Sequence, residues 1–291
     1  MPVRRPGETL VRMAAAGLAH LDRSVAEGSL GVHPPLPYVP STDGSGWVVE
    51  SEVHPAGAFV WIRGGGLGVE RDGVAGEYAV VPDLAAHLAP PRTDPLLAAC
   101  FFSPATSAAT ALFELGSWRR EDRLLVSGGA GAVGSLVVQL AVAAGGTEVI
   151  ASVRSAERTG DVPAGARPVV GDPDGEQVDL LVDTIGGPAL AGRLRAVRPG
   201  GRAVLVGYTA GTTVELDLPA LMRHDVTLLP LNMIRRAPAA FRLADELLPR
   251  LSRGELRLGI TPYDLADVET VWANLAARRV HGRAVLRISR E

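Results

Sequence analysis

The sequence contains no lysine: all 29 of its basic residues are arginine. That excludes a Schiff-base lysine and a lysine general base. Cys100 is the only cysteine, so no disulfide can form within the chain and a four-cysteine zinc lobe is impossible. A reducing, cytoplasmic setting is the natural reading. Aromatic residues make up only 4%, which leaves core building to Leu, Val and Ala. The formal net charge is −3, and no basic stripe interleaves with aromatics, so a nucleic-acid partner is not expected. No apolar run is long enough to cross a bilayer, so neither is a membrane. Arg4-Arg5 has the look of a twin-arginine signal, but Glu8 and Arg12 interrupt the apolar segment that such a signal needs.

What is present is a chain of 291 residues, 47% hydrophobic, with room for two domains. Residues 1 to 92 read as β-rich, punctuated by proline and glycine. Strands are expected at Thr9 to Met13, Gly46 to Ser51, Phe59 to Ile62 and Glu77 to Val81, the last halted by Pro82. A short helical stretch falls between Gly17 and Gly28. From Asp94 the pattern changes. Leu96 to Leu115 reads as helix broken near Pro104. Strands at Glu148 to Val153, Val178 to Asp183, Ala203 to Gly207 and Val226 to Leu229 then alternate with helices at Ala189 to Val197 and Leu218 to His224. Such βαβ alternation argues for a parallel sheet wrapped by helices. Ala239 to Arg253 and Asp267 to Arg278 read as helices, and Gly282 opens a closing strand.

The most informative segment runs from Arg123 to Ala144. A buried-type strand, Arg123 to Ser127, leads into Gly129-Ala130-Gly131-Ala132-Val133-Gly134, which fits G-x-G-x-x-G, and a helix follows from Leu136. In that setting Gly129 allows a tight turn, Gly131 lets the backbone approach a pyrophosphate, and Gly134 lets the helix press on the strand. The free N–H groups at the helix start face the phosphates. A purely structural turn in an alanine-rich chain is the competing reading. NAD sites place a carboxylate at the tip of the next strand, about 20 residues on. Here that tip carries Ser152 and Arg154, with Arg158 beyond. An arginine fork suits a 2′-phosphate, which points to NADP(H).

Several separate segments resemble the medium-chain dehydrogenase/reductase superfamily, in its quinone oxidoreductase and enoyl reductase-like branch. Pro6 to Leu18 resembles the family's opening strand, and Pro40 to Gly46 its P-G-x-D-G-x-G turn. Val178 to Asp183 with Gly186-Gly187 is similar to V-D-x-x-x-D-x-x-G-G. Arg198 to Arg202 matches R-P-G-G-R, and Gly282 to Leu286 is similar to G-K-V-V-L. The resemblance implies an α/β architecture: a Rossmann-type doubly wound parallel sheet over residues 94–258, plus a GroES-like β-barrel domain from 1–93 and 259–291. Family members carry a longer N-terminal segment, so the resemblance implies a truncated barrel. It also implies a small-molecule substrate bound against the nicotinamide, and many relatives form homodimers.

The catalytic zinc of the superfamily's alcohol dehydrogenases is held by Cys, His and Cys, at positions matching Ala19, Thr42 and Cys100. One ligand of three does not hold zinc in a catalytic geometry, so no metal is expected. Relatives often carry Asn at the position of Ala19 and some carry Tyr at that of His20. The expected activity is therefore hydride transfer from NADPH to a conjugated carbonyl, an enone, a quinone or a polyketide-type enoyl group, with His20 as the candidate proton donor. Gly207, Tyr208 and Asn232 are expected near the cofactor. Asp22 and Asp43 are read as structural. The other histidines, His33 among them, receive no role. A non-redox cyclase or isomerase on the same scaffold, and a catalytically silent NADPH-binding protein, are the alternatives that Ala19 leaves open.

Overall fold

The computed structural model describes residues 1–291 except Leu30, His33, Asp174, Arg290 and Glu291. In chain order it opens with β1 (Glu8–Leu18), α1 (His20–Ala26), β2 (Asp43–Glu50), β3 (Phe59–Arg63), β4 (Tyr78–Pro82) and β5 (Ala86–Leu88). Next come α2 (Pro95–Ala98) and α3 (Phe102–Ala109), with a π-helical turn over Thr110–Leu115. The middle of the chain alternates: β6 (Leu124–Ser127), α4 (Ala132–Ala143), β7 (Val149–Val153), β8 (Arg167–Val170), β9 (Val178–Asp183), α5 (Leu190–Arg195), β10 (Val197–Leu205), α6 (Leu218–His224) and β11 (Thr227–Pro230). The chain closes with α7 (Ala237–Ser252), β12 (Ile260–Asp264), α8 (Val268–Ala276) and β13 (Arg283–Arg287). It forms two compact units, Met1–Ser103 with Leu248–Glu291, and Pro104–Leu247.

The first unit holds a seven-stranded sheet, ordered β12-β13-β1-β2-β3-β5, with β4 also on β1. β1 carries three partners. β2 runs along one edge, while β4 takes Glu8 to Arg12 and β13 takes Ala15 to Leu18 on the other. That central place explains why so much of β1 is buried, from Leu10 to Leu18 with one break. Val11, Met13, Val48, Val60, Ile62, Val74 and Val81 form its core, each such aliphatic contributing roughly 1.5–3 kcal/mol over exposure. This is the GroES-like architecture.

The second unit is a six-stranded parallel sheet, ordered β11-β10-β9-β6-β7-β8. Numbered from its own first strand, that is the Rossmann order read from one edge. The strand order reverses between β6 and β9, and ligands of open α/β sheets gather at such a reversal. Both strands are buried apolar runs, as a sheet covered on two faces requires. α4 lays Leu136, Val137, Val138, Leu140 and Ala141 into the core, and Gly145, at φ +89°, ends it in a left-handed cap. Asp217 caps α6 by accepting from Ala220 N–H, with Pro219 in the first turn.

Several expectations are corrected. The break in the 96–115 stretch precedes Pro104, which sits in the first turn of α3, where a missing N–H costs nothing. The helix expected to reach Val197 stops at Arg195, because Val197 already pairs with Val178. Pro82 is the last residue of β4 and not its stop. β5, β8 and β12 are added. The first has three residues; the other two are edge strands, β8 mostly exposed and β12 mostly half-buried, carrying Pro168 and Pro262. Edges need no apolar alternation and tolerate proline, so no pattern marks them.

Candidate functional site

In the Rossmann unit the glycine turn does three separate jobs, with one change of cast. The left-handed residue is Gly128, at φ +66°, and not Gly129. Gly129 is buried, and a Cβ there would come within 2.6 Å of the Ala151 Cβ on β7. Gly134 is buried too, its missing Cβ directed at the Gly128 carbonyl. Gly131 differs: a Cβ would meet only the Gly128 carbonyl, at 3.1 Å. Ala130, Gly131, Ala132 and Val133 are all half-exposed. α4 starts from Gly131 without a side-chain cap. Its first amides, those of Ala132, Val133 and Gly134, have no intrahelical acceptor. These donors, with the positive end of the helix dipole, suit an anionic diphosphate.

Under this turn lies a buried polar network that the sequence does not announce. Asp183, at the end of β9, is fully buried. Its Oδ1 accepts from Ser127 Oγ at 2.6 Å and from Arg193 Nε at 2.8 Å, and its Oδ2 accepts from Gly186 N–H at 2.7 Å. Arg193, only 2% exposed, also donates to the Gly186 carbonyl and to Asp172. Thr184 ties back to Ser127 through both its N–H and its hydroxyl. Gly186 and Gly187 have φ of +61° and +72°, and Cβ atoms there would fall 2.7 Å from the Gly207 and Ala210 carbonyls. Gly207 is itself pressed on the Thr184 carbonyl. The V-D-x-x-x-D-x-x-G-G segment therefore packs the ends of β6, β9 and β10 into one tight rim.

The remaining expected cofactor residues lie in the same unit with different surroundings. Ser152 is buried, and its hydroxyl donates to the Gly171 carbonyl at 2.7 Å, so it secures the chain after β8 instead of facing a ligand. Arg158 donates to the Ala130 carbonyl at 3.1 Å and pairs with Asp161 at 2.8 Å, which ties the turn after β7 to the glycine loop. Arg154 is exposed at the β7 tip. Tyr208 is 62% exposed. Asn232 is exposed and accepts from Arg235 N–H.

The other unit holds His20 and a buried charged cluster. His20 is exposed at the start of α1, and partial desolvation, then Arg23, Arg283 and Arg278, hold its pKa below the usual imidazole range. Asp22, 1% exposed, accepts from Ala19 N–H at 2.7 Å and from Thr42 N–H at 3.0 Å. One carboxylate thus joins two of the positions that match zinc ligands. Burial first, then the neighbouring Asp43, raises its pKa to about 6. Asp43 accepts from Arg63 at 2.9 Å and lies 3.5 Å from Arg283. Arg63 also donates to the Thr42 hydroxyl at 2.7 Å. The Cys100 thiol is pushed up to about 12 by burial. This donor set does not fit a catalytic zinc: Ala19 offers no ligand and the Thr42 hydroxyl is engaged by Arg63. Among the described residues no group of three His, Cys, Asp or Glu could hold a metal ion. His33 lies outside the described residues.

Comparison with known proteins agrees with this architecture. Residues 5–91 match the alcohol dehydrogenase GroES-like domain family, and residues 132–249 match the zinc-binding dehydrogenase family. A zinc-type alcohol dehydrogenase-like protein of Schizosaccharomyces pombe is 29% identical over 247 residues, covering 80% of this chain and 73% of that protein. The putative quinone oxidoreductase YhfP of Bacillus subtilis is 25% identical over 304 residues, covering 96% and 90%. The crystal structure of a Pseudomonas syringae quinone oxidoreductase superposes with a TM-score of 0.85 at 24% identity, over 99% of this chain and 93% of that one, a likeness of fold. The chain belongs to the medium-chain dehydrogenase/reductase superfamily, an oxidoreductase family, in its quinone oxidoreductase-like branch.

Proposed function

We propose that the protein is an NADPH-dependent, zinc-independent reductase of a conjugated carbonyl: an enone, a quinone or a polyketide-type enoyl group. The observation that carries this is the glycine turn, where uncapped amides of α4 open beside a side-chain-free Gly131. A bound nicotinamide dinucleotide supplies hydride. The chain's part is to hold it: amides of Ala132, Val133 and Gly134 at the diphosphate, and Arg154 and Arg158 toward a 2′-phosphate. With no carboxylate at the β7 tip, a ribose diol lacks its usual acceptor there. In this reading Gly207, Tyr208 and Asn232 take the nicotinamide side. In the absence of a fitting zinc set, charge on the substrate oxygen falls to hydrogen-bond donors, and His20 is the candidate proton source. A homodimer and a cytoplasmic location belong to the same reading, as does a domain division at 93/94 and 258/259.

Fluorescence titration with NADPH and NADH tests the cofactor assignment. The expected result is tighter NADPH binding that weakens by about tenfold in Arg154→Ala, with NADH unchanged. Oxidation of NADPH by enones or quinones tests the reaction. No oxidation above background despite proven binding would count against it.

A further inference from the structure

The two edges of the Rossmann sheet are finished differently. At β8, Gly171 N–H donates to the Val153 carbonyl. Bonds along a strand alternate sides, so Val169 and Arg167 also turn to β7, and Pro168 stands at the outward position. Proline has no N–H, which blunts this edge against a further strand. At β11, Leu231 N–H donates to the Leu205 carbonyl. By the same alternation Leu229 and Thr227 turn to β10, and Leu228 points its N–H and carbonyl away from the sheet. This edge is open.

The approach to the open edge is apolar and uncovered. Residues 205–239 include α6 and β11, yet none of them is buried. In α6, Leu218 is 60% and Met222 78% exposed. They lie four residues apart and share one helix face. Met222 is in the last turn, and only Asp225 and Val226 separate α6 from β11. Exposed apolar surface beside an open strand edge marks an interaction site. Arg223 and Asp225 flank it, and neither forms an ion pair among the described residues. An acidic or a basic partner matches one of these charges and repels the other. A second copy of the chain carries both signs and matches both.

We propose that β11 pairs antiparallel with β11 of a second copy across a two-fold axis at Leu228, joining their two sheets into one. A strand facing its own two-fold mate can only run antiparallel to it, and Leu228 then exchanges N–H and carbonyl bonds with the partner's Leu228. Leu218 and Met222 are covered beside the seam. This names the surface of the homodimer in the reading above and rests on that part of it; the reductase chemistry does not depend on it.

Light scattering at micromolar concentration reads the mass of wild type, Met222→Asp and Leu228→Pro, with circular dichroism as the check on folding. The wild type should be a dimer. Met222→Asp sets like charges along the seam and should raise the dimer's Kd at least about 100-fold, with an unchanged spectrum because the side chain is exposed in the single chain. Leu228→Pro spares the bonds to β10, gives β11 the outward proline of β8 and should be monomeric. Amide hydrogen exchange of the wild type needs no substitution. On dilution below the dimer's Kd the Leu228 amide should lose its protection while that of Leu229 keeps it. A wild type that is monomeric overturns the homodimer and this surface together. A dimer that survives Met222→Asp, or a Leu228 amide that exchanges freely within the dimer, overturns the surface and spares the homodimer. NADPH oxidation by the same samples tests the reductase reading separately.

Discussion

Asp183 and Asp22 are both buried carboxylates, one in each unit, and their surroundings are opposite. Asp183 has a buried guanidinium on one oxygen, with a hydroxyl and an amide completing its shell. Asp22 has two amides and no direct cation, and the neighbouring Asp43 and Thr42 engage Arg63. In the Rossmann unit the polar groups under the glycine turn satisfy one another, which makes a stiff rim. Near Asp22 the Arg283 Nε is left without a partner. Two buried carboxylates of one chain are thus handled differently: one is neutralised by a guanidinium, the other is bonded by amides alone.

The comparison breaks most sharply at Arg193. Arg193→Met leaves Asp183 buried and unpaired and should cost about 3–5 kcal/mol of unfolding free energy, read by urea denaturation. A loss under 1 kcal/mol would mean that the saturated network is not what holds the rim.

Asp22 comes next, through pH. Its folded pKa of about 6 lies above the ordinary 3.8, so the folded state holds this proton more tightly than the unfolded one. Its stabilising contribution is present at low pH and declines as pH rises from about 4 to 6, by at most about 3 kcal/mol. Asp22→Asn should remove that slope. Urea midpoints across pH 4 to 7 for both proteins check the sign, and a wild type gaining stability from this group over that window would refute it.

Gly131→Leu separates scaffold from ligand surface. With a single contact at its Cβ, the Gly128 carbonyl at 3.1 Å, and φ of −86°, the variant should lose only about 1 kcal/mol of stability. Its affinity for NADPH should nevertheless drop more than about tenfold, since the side chain occupies the diphosphate approach. Gly134→Leu should instead unfold the turn.

The smallest effect is an absence of reaction. With its thiol pushed up to about 12, Cys100 should resist a thiol-specific disulfide reagent at pH 8 until the protein is denatured. Rapid labelling of the folded protein would show the charged cluster to be open to solvent.

Some of this was legible in the residues. Val178 to Asp183 and Leu218 to His224 have the bounds expected of them, because a two-face-buried strand and a capped helix each leave a local mark. The glycine turn was legible for the same reason: strand, glycines and helix are contiguous. β5, β8 and β12 were not, since pattern reports burial and edge strands are poorly buried. Nor were the separate roles of the glycines. Whether a glycine is needed for a left-handed φ, as at Gly128, or for want of room, as at Gly129, depends on Ala151 and Thr184, which are distant in sequence.

Composition and contiguous pattern alone settled that this sequence offers no lysine and no disulfide within the chain, that a parallel sheet follows residue 94, and that a glycine turn opens its first helix. Those are local facts, set by residue type and by spacing along the chain. Tertiary structure decided which polar groups are used up and which are left over: that Arg193 neutralises Asp183, that Ser152 turns inward to Gly171, that Asp22 spans Ala19 and Thr42, and that the Arg283 Nε is buried with nothing to bond. Partnering is a property of groups brought together from far apart in the chain, and one-dimensional spacing carries no record of it.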